Sequence, residues 1–238
     1  MEISLQLYSI HEETKKDFAG SVKKVGQIGF QGVEFAGYGD LSPAEQKQLL
    51  AESGLYSVGT HCGLQVFTDS FDEELQYSKE IGSKYIICPY ARLDSLEEIE
   101  YLAKVLNEAA EKAAKVGIKV GYHNHDHEFI QIDGEYALDI LARMTNDNVV
   151  LELDVFWVAY AGVDPVEYIK KWGKRVELIH IKQIDDKKAN VDIPDGIIDM
   201  KQIKDAAVYA THFVLEHEEY DKPVWDALVN DFTALNKI

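Results

Sequence analysis

Five residues able to bind a metal or move a proton stand at the ends of short apolar runs. His61 closes YSVGTH, His123 lies in KVGYHNH, Asp154 closes VVLELD, His180 lies in VELIHIK and Glu216 in HFVLEHE. Imidazoles and carboxylates accept protons near neutral pH and supply the nitrogen and oxygen ligands of divalent cations. Successive strand residues face opposite sides. Gly121, His123 and His125 therefore share a side, as do Glu152 with Asp154, His180 with Lys182, and Glu216 with Glu218. Charge at such positions is costly to bury unless it is compensated. A cation held by two imidazoles and two carboxylates supplies that compensation. This donor set suits Mn²⁺, Fe²⁺, Co²⁺ or Zn²⁺ and leaves positions open for substrate oxygens. Taken singly, each residue has a plainer reading: a strand-end histidine is usually hydrogen-bonded, HNHDH can be a polar turn, and Glu216–Glu219 a solvated acidic loop. Recurrence at four successive strand ends carries the expectation.

The elements that must position these residues alternate along the whole chain. Strand-like runs fall at Ile3–Tyr8, Gly32–Ala36, Tyr56–Cys62, Tyr85–Tyr90, Lys119–His125, Val149–Asp154, Val176–Lys182 and His212–Glu218. Helical patterns follow at Thr14–Ile28, Pro43–Ser53, Ser70–Ile81, Ser95–Val116, Glu135–Met144, Asp164–Trp172, Asp199–Tyr209 and Pro223–Asn236. In the first of these, Phe18, Val22, Val25 and Ile28 recur at three- and four-residue spacing. Ser42-Pro43 is a cap followed by proline at the first helical position. Gly29, Gly54, Gly82 and Gly117 punctuate the chain where each strand restarts, a rhythm of roughly 30 residues expected of repeated βα units. Eight strands alternating with eight helices predict an α/β fold, a closed parallel (β/α)₈ barrel in a single domain over residues 1–238, with its chemistry at the carboxyl ends of the strands. A doubly wound open sheet is the alternative, but no glycine-rich phosphate loop follows the first strand, where LQLYS runs into IHEETKK.

Composition narrows the function. The 238 residues carry 42 acidic and 24 basic side chains, a net charge of −18. Such a surface repels phosphate backbones, so no nucleic-acid partner is expected. The late loops KQIDDKKANVDIPDGIID and EHEEYDKP hold no basic cluster for a phosphate, which favours an unphosphorylated sugar, keto-sugar or cyclitol. Cys62 and Cys88 form no disulfide framework or zinc-finger spacing and fit buried thiols in a reducing cytoplasm. MEISLQLYSIHEE has no signal-peptide pattern and there is no apolar run of membrane-spanning length, so a cytoplasmic protein with no membrane partner is expected. Nothing identifies an interface for a homo-oligomer.

The segments LQLYSI, GVEFAGYG, GTHCGL, GYHNHDHEF, LELDVFWVAYAGVDPVEYI, LIHIKQ, PDGIID and VLEHEEY resemble the xylose-isomerase-like sugar isomerase/epimerase superfamily over nearly the whole chain. The resemblance implies a TIM barrel whose last four strands hold one divalent metal (Mn, Co, Zn, Fe or Mg) through Glu, Asp, His and Glu. Asp154, His180 and Glu216 match three of these, and His123 stands in the place of the fifth-strand glutamate. In the family's epimerases and isomerases two glutamates flank the sugar; here one is missing. Two further departures are Trp157, where epimerases often carry a substrate-binding histidine, and Gln183, where an HLKD-like segment gives aspartate. Inosose dehydratases also carry a histidine run at the fifth strand, and AP endonucleases share the superfamily.

The expected roles follow. His123, Asp154, His180 and Glu216 hold the metal, and Glu216 doubles as base. Glu152 replaces the absent base or supports a ligand histidine. Lys182 stabilises an oxyanion or pairs with Asp185. Glu34, His61, His125, Glu128 and Trp157 contact the sugar, with Tyr8, Phe67, Tyr90 and Tyr160 as further stacking faces. The expected activity is metal-dependent isomerisation or epimerisation through an enediolate. The rivals are a dehydratase or lyase on a keto-cyclitol or 3-keto-glycoside, an AP endonuclease, and a non-catalytic sugar-binding barrel.

Overall fold

A computed structural model describes residues 2–238. Eight parallel strands close into a barrel in sequence order: β1 (Ile3–Gln6), β2 (Gly32–Phe35), β3 (Tyr56–His61), β4 (Tyr85–Cys88), β5 (Lys119–His123), β6 (Val149–Asp154), β7 (Val176–Ile181) and β8 (His212–Leu215), with β8 pairing back onto β1. Closure leaves no strand edge, which is why four-residue strands suffice. Every strand begins where its sequence pattern does. Most end one to three residues earlier, because the barrel ladder stops and the strand-end residues turn inward over the mouth.

The interior is layered. Val58, Ile87, Val150, Leu178 and Val214 form an apolar plug. Gly121 belongs to this level because a Cβ there would lie 2.5 Å from Ile87 Cδ1 and 2.9 Å from Val150 Cγ2. One step toward the carboxyl ends, the filling changes from branched aliphatics to Glu34, His61, His123, Glu152 and His180. The register slips at Val33/Glu34 between β2 and β3, and at Leu151/Glu152 between β6 and β7. Irregularities of this kind re-aim side chains, and these two fall at the two acidic residues of that polar layer.

The outer ring differs from the sequence pattern in detail. The first helix is two, His11–Lys16 and Phe18–Ile28, because Asp17 leaves helical geometry and caps the second by accepting the Gly20 N–H. Pro43–Ser53 begins with the full capping box of Ser42 and Glu45. Short helices at Leu64–Asp69 and Val155–Tyr160, too brief to show a periodicity, follow β3 and β6 directly. Gln183–Ile184 pairs with Asn190–Val191, and Gln131–Ile132 with Glu135–Tyr136, as two-residue ribbons.

Asp139 ties Ala137–Met144 to Pro165–Trp172. It is 4% exposed and accepts from Tyr168 Oη at 2.7 Å, Lys171 Nζ at 2.5 Å and Trp172 Nε1 at 2.9 Å. Asp139→Ala strands these donors and is expected to cost about 2–4 kcal/mol, read as a lower urea midpoint with an unchanged m-value.

Candidate metal centre

Two carboxylates and three imidazoles pack as one buried layer across the barrel. Glu34 and Glu152 are both 0% exposed. Glu152 Oε2 lies 2.6 Å from His61 Nε2 and 3.2 Å from both His123 Nδ1 and His180 Nε2. Glu34 Oε2 lies 2.8 Å from His180 Nε2 and 3.1 Å from His61 Nε2, and accepts from Gln6 Nε2 at 2.8 Å. Burial works to raise both carboxyls, but the facing imidazoles outweigh it and hold both well below the usual range. In return, despite its burial, His61 is pushed up to about 10 by Glu34 and Glu152. His180 is also raised, whereas burial drives His123 well below its ordinary value.

Above this layer the strand ends converge. Ligand atoms of His123, Asp154, His180 and Glu216 all lie within 4.8 Å of one another. His180 reaches both levels: Nε2 faces the carboxylates beneath, and Nδ1 lies 3.3 Å from Glu216 Oε2. Asp154 Oδ1 caps Val155–Tyr160 by accepting the Phe156 and Trp157 N–H groups, while Oδ2 is buried with no partner. A buried carboxylate oxygen left bare calls for a counter-charge, a state Asp154 Oδ2 shares with Glu34 Oε1 and Glu152 Oε1 beneath it, and burial with Glu216 nearby pushes the Asp154 carboxyl up to about 7. Two imidazoles and two carboxylates fit a divalent ion of the Mn, Fe, Co or Zn type. His61, His123, Glu152 and His180 form a second group of the same compactness. Its nitrogens already face carboxylate oxygens at hydrogen-bond distance, which is how ligand imidazoles are oriented from behind.

A cavity of about 450 Å³ opens over this centre, lined by Tyr8, Ala36, His61, Pro89, Tyr90, His123, His125, Glu216 and Glu218. His61, His125, Tyr8 and Tyr90 thus stand where a ligand can reach them. Five expectations change. Glu34 is sealed beneath the cavity. Glu128 is fully buried, accepting from Tyr122 Oη at 2.7 Å and from the His125 N–H at 2.8 Å, and so shapes the HNHDH turn from within. Phe67 is a core residue stacked on Phe71 at 5.4 Å. Lys182 pairs with Glu218 and approaches Glu216 at 3.8 Å, not Asp185, which folds its own loop by accepting the Lys187 and Ala189 N–H groups. Lys182 also lies 4.9 Å from the ring centres of Phe156 and Trp157. Trp157 is half-buried, 5.3 Å from the His125 ring, and its Nε1 has no partner. Glu152 lies in the sealed layer, with Oε2 facing three imidazoles.

Two residues of the quoted segments shape the site in ways their sequence positions did not indicate. Asn124 Oδ1 accepts the Asp154 N–H at 3.1 Å, joining the ends of β5 and β6. Gln183 is the hub of the 183–198 loop, donating to the Ile193 and Ile198 carbonyls and accepting the Ile184 and Ile198 N–H groups. An amide can do both, and an aspartate there could not donate.

The protonation pattern predicts opposite pH trends with and without metal. His61 and His180 hold protons in the folded, metal-free protein above pH 6.5, where the unfolded chain has lost them. Their contribution is complete below about 6.5 and is lost as pH rises toward 10 for His61. With EDTA, Tm is expected to fall by on the order of 5–10 °C between pH 6.5 and 9. Ligand imidazoles must bind a cation unprotonated, so the increment in Tm given by Mn²⁺ should grow over the same range. Thermal melts at four pH values check both trends.

The chain belongs to the xylose isomerase-like TIM barrel family, whose model matches residues 22–231. Among curated relatives, an inosose dehydratase of Clostridium botulinum is 37% identical over 89 residues, 37% of this chain and 29% of that protein. An inosose dehydratase of Geobacillus kaustophilus is 25% identical over 191 residues, covering 68% and 61% of the two chains. The chain spans under a third of the length of the first curated relatives it matches. Among solved structures, a sugar phosphate isomerase/epimerase from Parabacteroides distasonis superposes with a TM-score of 0.85 at 20% identity, covering 98% and 92% of the two chains. The IolI protein with a bound zinc atom superposes at 0.78 with 17% identity, covering 100% and 97%. These structural likenesses establish the fold. Among the described residues, no helix is long and apolar enough to cross a membrane.

Proposed function

We propose that this chain is a divalent-metal-dependent sugar isomerase or epimerase acting on an unphosphorylated sugar, keto-sugar or cyclitol through an enediolate. One observation carries the reading: two imidazoles and two carboxylates from four consecutive strands meet within 4.8 Å beneath an open cavity, and one buried Asp154 oxygen has no partner. When bound, a divalent ion polarises a carbonyl and its neighbouring hydroxyl and lowers the cost of removing the intervening proton. Glu216 borders the cavity and takes that proton. Lys182, buried against Glu216 and Glu218 behind the cavity wall, holds the charge and position of those two carboxylates. His123 and His180 present one nitrogen each to the centre while Glu152 and Glu34 hold the other. His61 and His125 line the cavity and orient the sugar, with Trp157 packed beside His125.

A second reading, dehydration of a keto-cyclitol or 3-keto-glycoside, draws support from one feature. Glu152 is sealed away, so Glu216 and Glu218 are the only carboxylates among the cavity-lining residues, and they come from the same strand end. They therefore do not flank a sugar from two sides as a symmetric proton relay requires. The inosose dehydratase names of the curated relatives point the same way.

Incubating the metal-loaded protein with keto-sugars and inososes in D₂O separates these outcomes. Carbon-bound deuterium in a product of unchanged composition supports isomerisation, and loss of 18 mass units supports dehydration. Absence of exchange and of product across the panel counts against both.

A further inference from the structure

Between Glu216 and Glu218, which line the cavity, His217 faces the other way and is 2% exposed. Its Nδ1 lies 2.8 Å from Asp231 Oδ2, and its Nε2 lies 2.8 Å from the Glu219 carbonyl. Asp231 sits on the last helix, Val224–Leu235, and its other oxygen accepts the Ile193 N–H at 2.6 Å. Asp192, His217 and Asp231 offer ligand atoms within 4.8 Å of one another. Yet both nitrogens of His217 and both oxygens of Asp231 are engaged, and Asp192 Oδ2 meets Lys222 Nζ at 2.7 Å and Asn230 Nδ2 at 2.6 Å. Engaged in this way, the His217–Asp231 pair has the hydrogen bonding of a clamp.

What it clamps is decided by where the barrel ends. The ladder's last bond on this strand is Glu216 N–H to the Ile181 carbonyl, at 3.0 Å. Beyond it the backbone is held by side chains of distant segments. Ser9 Oγ accepts the His217 N–H at 3.1 Å, and Asn190 Oδ1 accepts the N–H groups of Glu218 and Glu219 at 2.8 and 3.3 Å. Asp231 is the anchor acting through the side chain between the two acids.

We infer that Asp231, through His217, is a positioning residue that fixes the height and direction at which Glu216 and Glu218 enter the cavity. The inference rests on the metal reading only for its effect on ion affinity. Groups hydrogen-bonded directly to a metal ligand are typically worth 10- to 100-fold in affinity, which bounds from above the effect of a residue acting through the neighbour of Glu216. Asp231→Asn keeps the Ile193 bond but turns an amide N–H toward His217 Nδ1, replacing the charged acceptor there by a reversed, neutral contact, and Asp231→Ala keeps neither. The Mn²⁺ dissociation constant should therefore rise by about tenfold in Asp231→Asn and up to about a hundredfold in Asp231→Ala, with the Mn²⁺-induced gain in Tm shrinking in the same order. Amide hydrogen exchange by mass spectrometry supplies a readout that needs no metal. Segment 216–220 should exchange at least about tenfold faster in Asp231→Asn, with the other barrel strands unchanged. If Asp231→Ala fails to fold, Asp231→Asn and Ser9→Ala, which removes the anchor on the His217 N–H, carry the same test.

Wild-type Mn²⁺ affinity together with wild-type exchange at 216–220 in Asp231→Asn overturns the inference. So does faster exchange spread evenly over the barrel with ion affinity intact, which marks a purely structural pair. A wild-type chain that binds no divalent ion sinks the metal reading instead, and local exchange alone then decides the clamp.

Discussion

His180→Ala is expected to abolish both bound metal and turnover. Metal content of the purified protein should drop to background, and kcat/KM should fall by about a thousandfold or more. The size follows from the place of this one ring. Its Nδ1 faces Glu216 at 3.3 Å, and its Nε2 faces Glu34 at 2.8 Å and Glu152 at 3.2 Å. Removing it deletes a proposed ligand and the ring that spaces carboxylates on two levels, so the remaining groups lose the geometry that would hold an ion. Elemental analysis and a deuterium-exchange assay on the same preparation are the measurement. Full activity without bound metal in this variant would refute the metal-dependent reading outright.

Glu216→Gln should separate proton transfer from ion binding. Glutamine keeps the shape and one coordinating oxygen but cannot take up a proton, so turnover is expected to drop by about 10²–10⁴-fold while Mn²⁺ affinity weakens far less. Glu152→Gln should behave in the opposite way. Glu152 Oε2 faces three imidazole nitrogens and Glu152 is 0% exposed, so an amide there disturbs how the imidazoles are held. The expected result is a metal affinity 10–100-fold lower, with exchange recovered at saturating metal. Exchange lost in Glu152→Gln at full metal occupancy, and retained in Glu216→Gln, would reverse the two roles and reinstate Glu152 as the base.

The order of elements was legible in the chain because it rests on local physics. Apolar runs of strand length, amphipathic segments and caps such as Ser42 and Gly54 are set by neighbours within a few residues. Alternation then assigned His180 with Lys182, and Glu216 with Glu218, to single faces of their strands without any tertiary information. Where strands stop was less legible, since β8 ends at Leu215 because its ladder partner ends, not because of any residue in VLEHE.

Residue types and their alternation, read from the sequence alone, set a closed barrel with imidazoles and carboxylates gathered at one mouth. Depth within that mouth was decided only by the tertiary structure. Alternation gives a side chain's face, but its height depends on barrel stagger and on the register slips at Glu34 and Glu152. That height separates Glu216 at the cavity from Glu34 and Glu152 in the sealed layer, and sets Glu128 beneath its turn. The pairing of His217 with Asp231, fourteen residues apart on a strand end and a helix, likewise exists only once the last helix packs against the barrel.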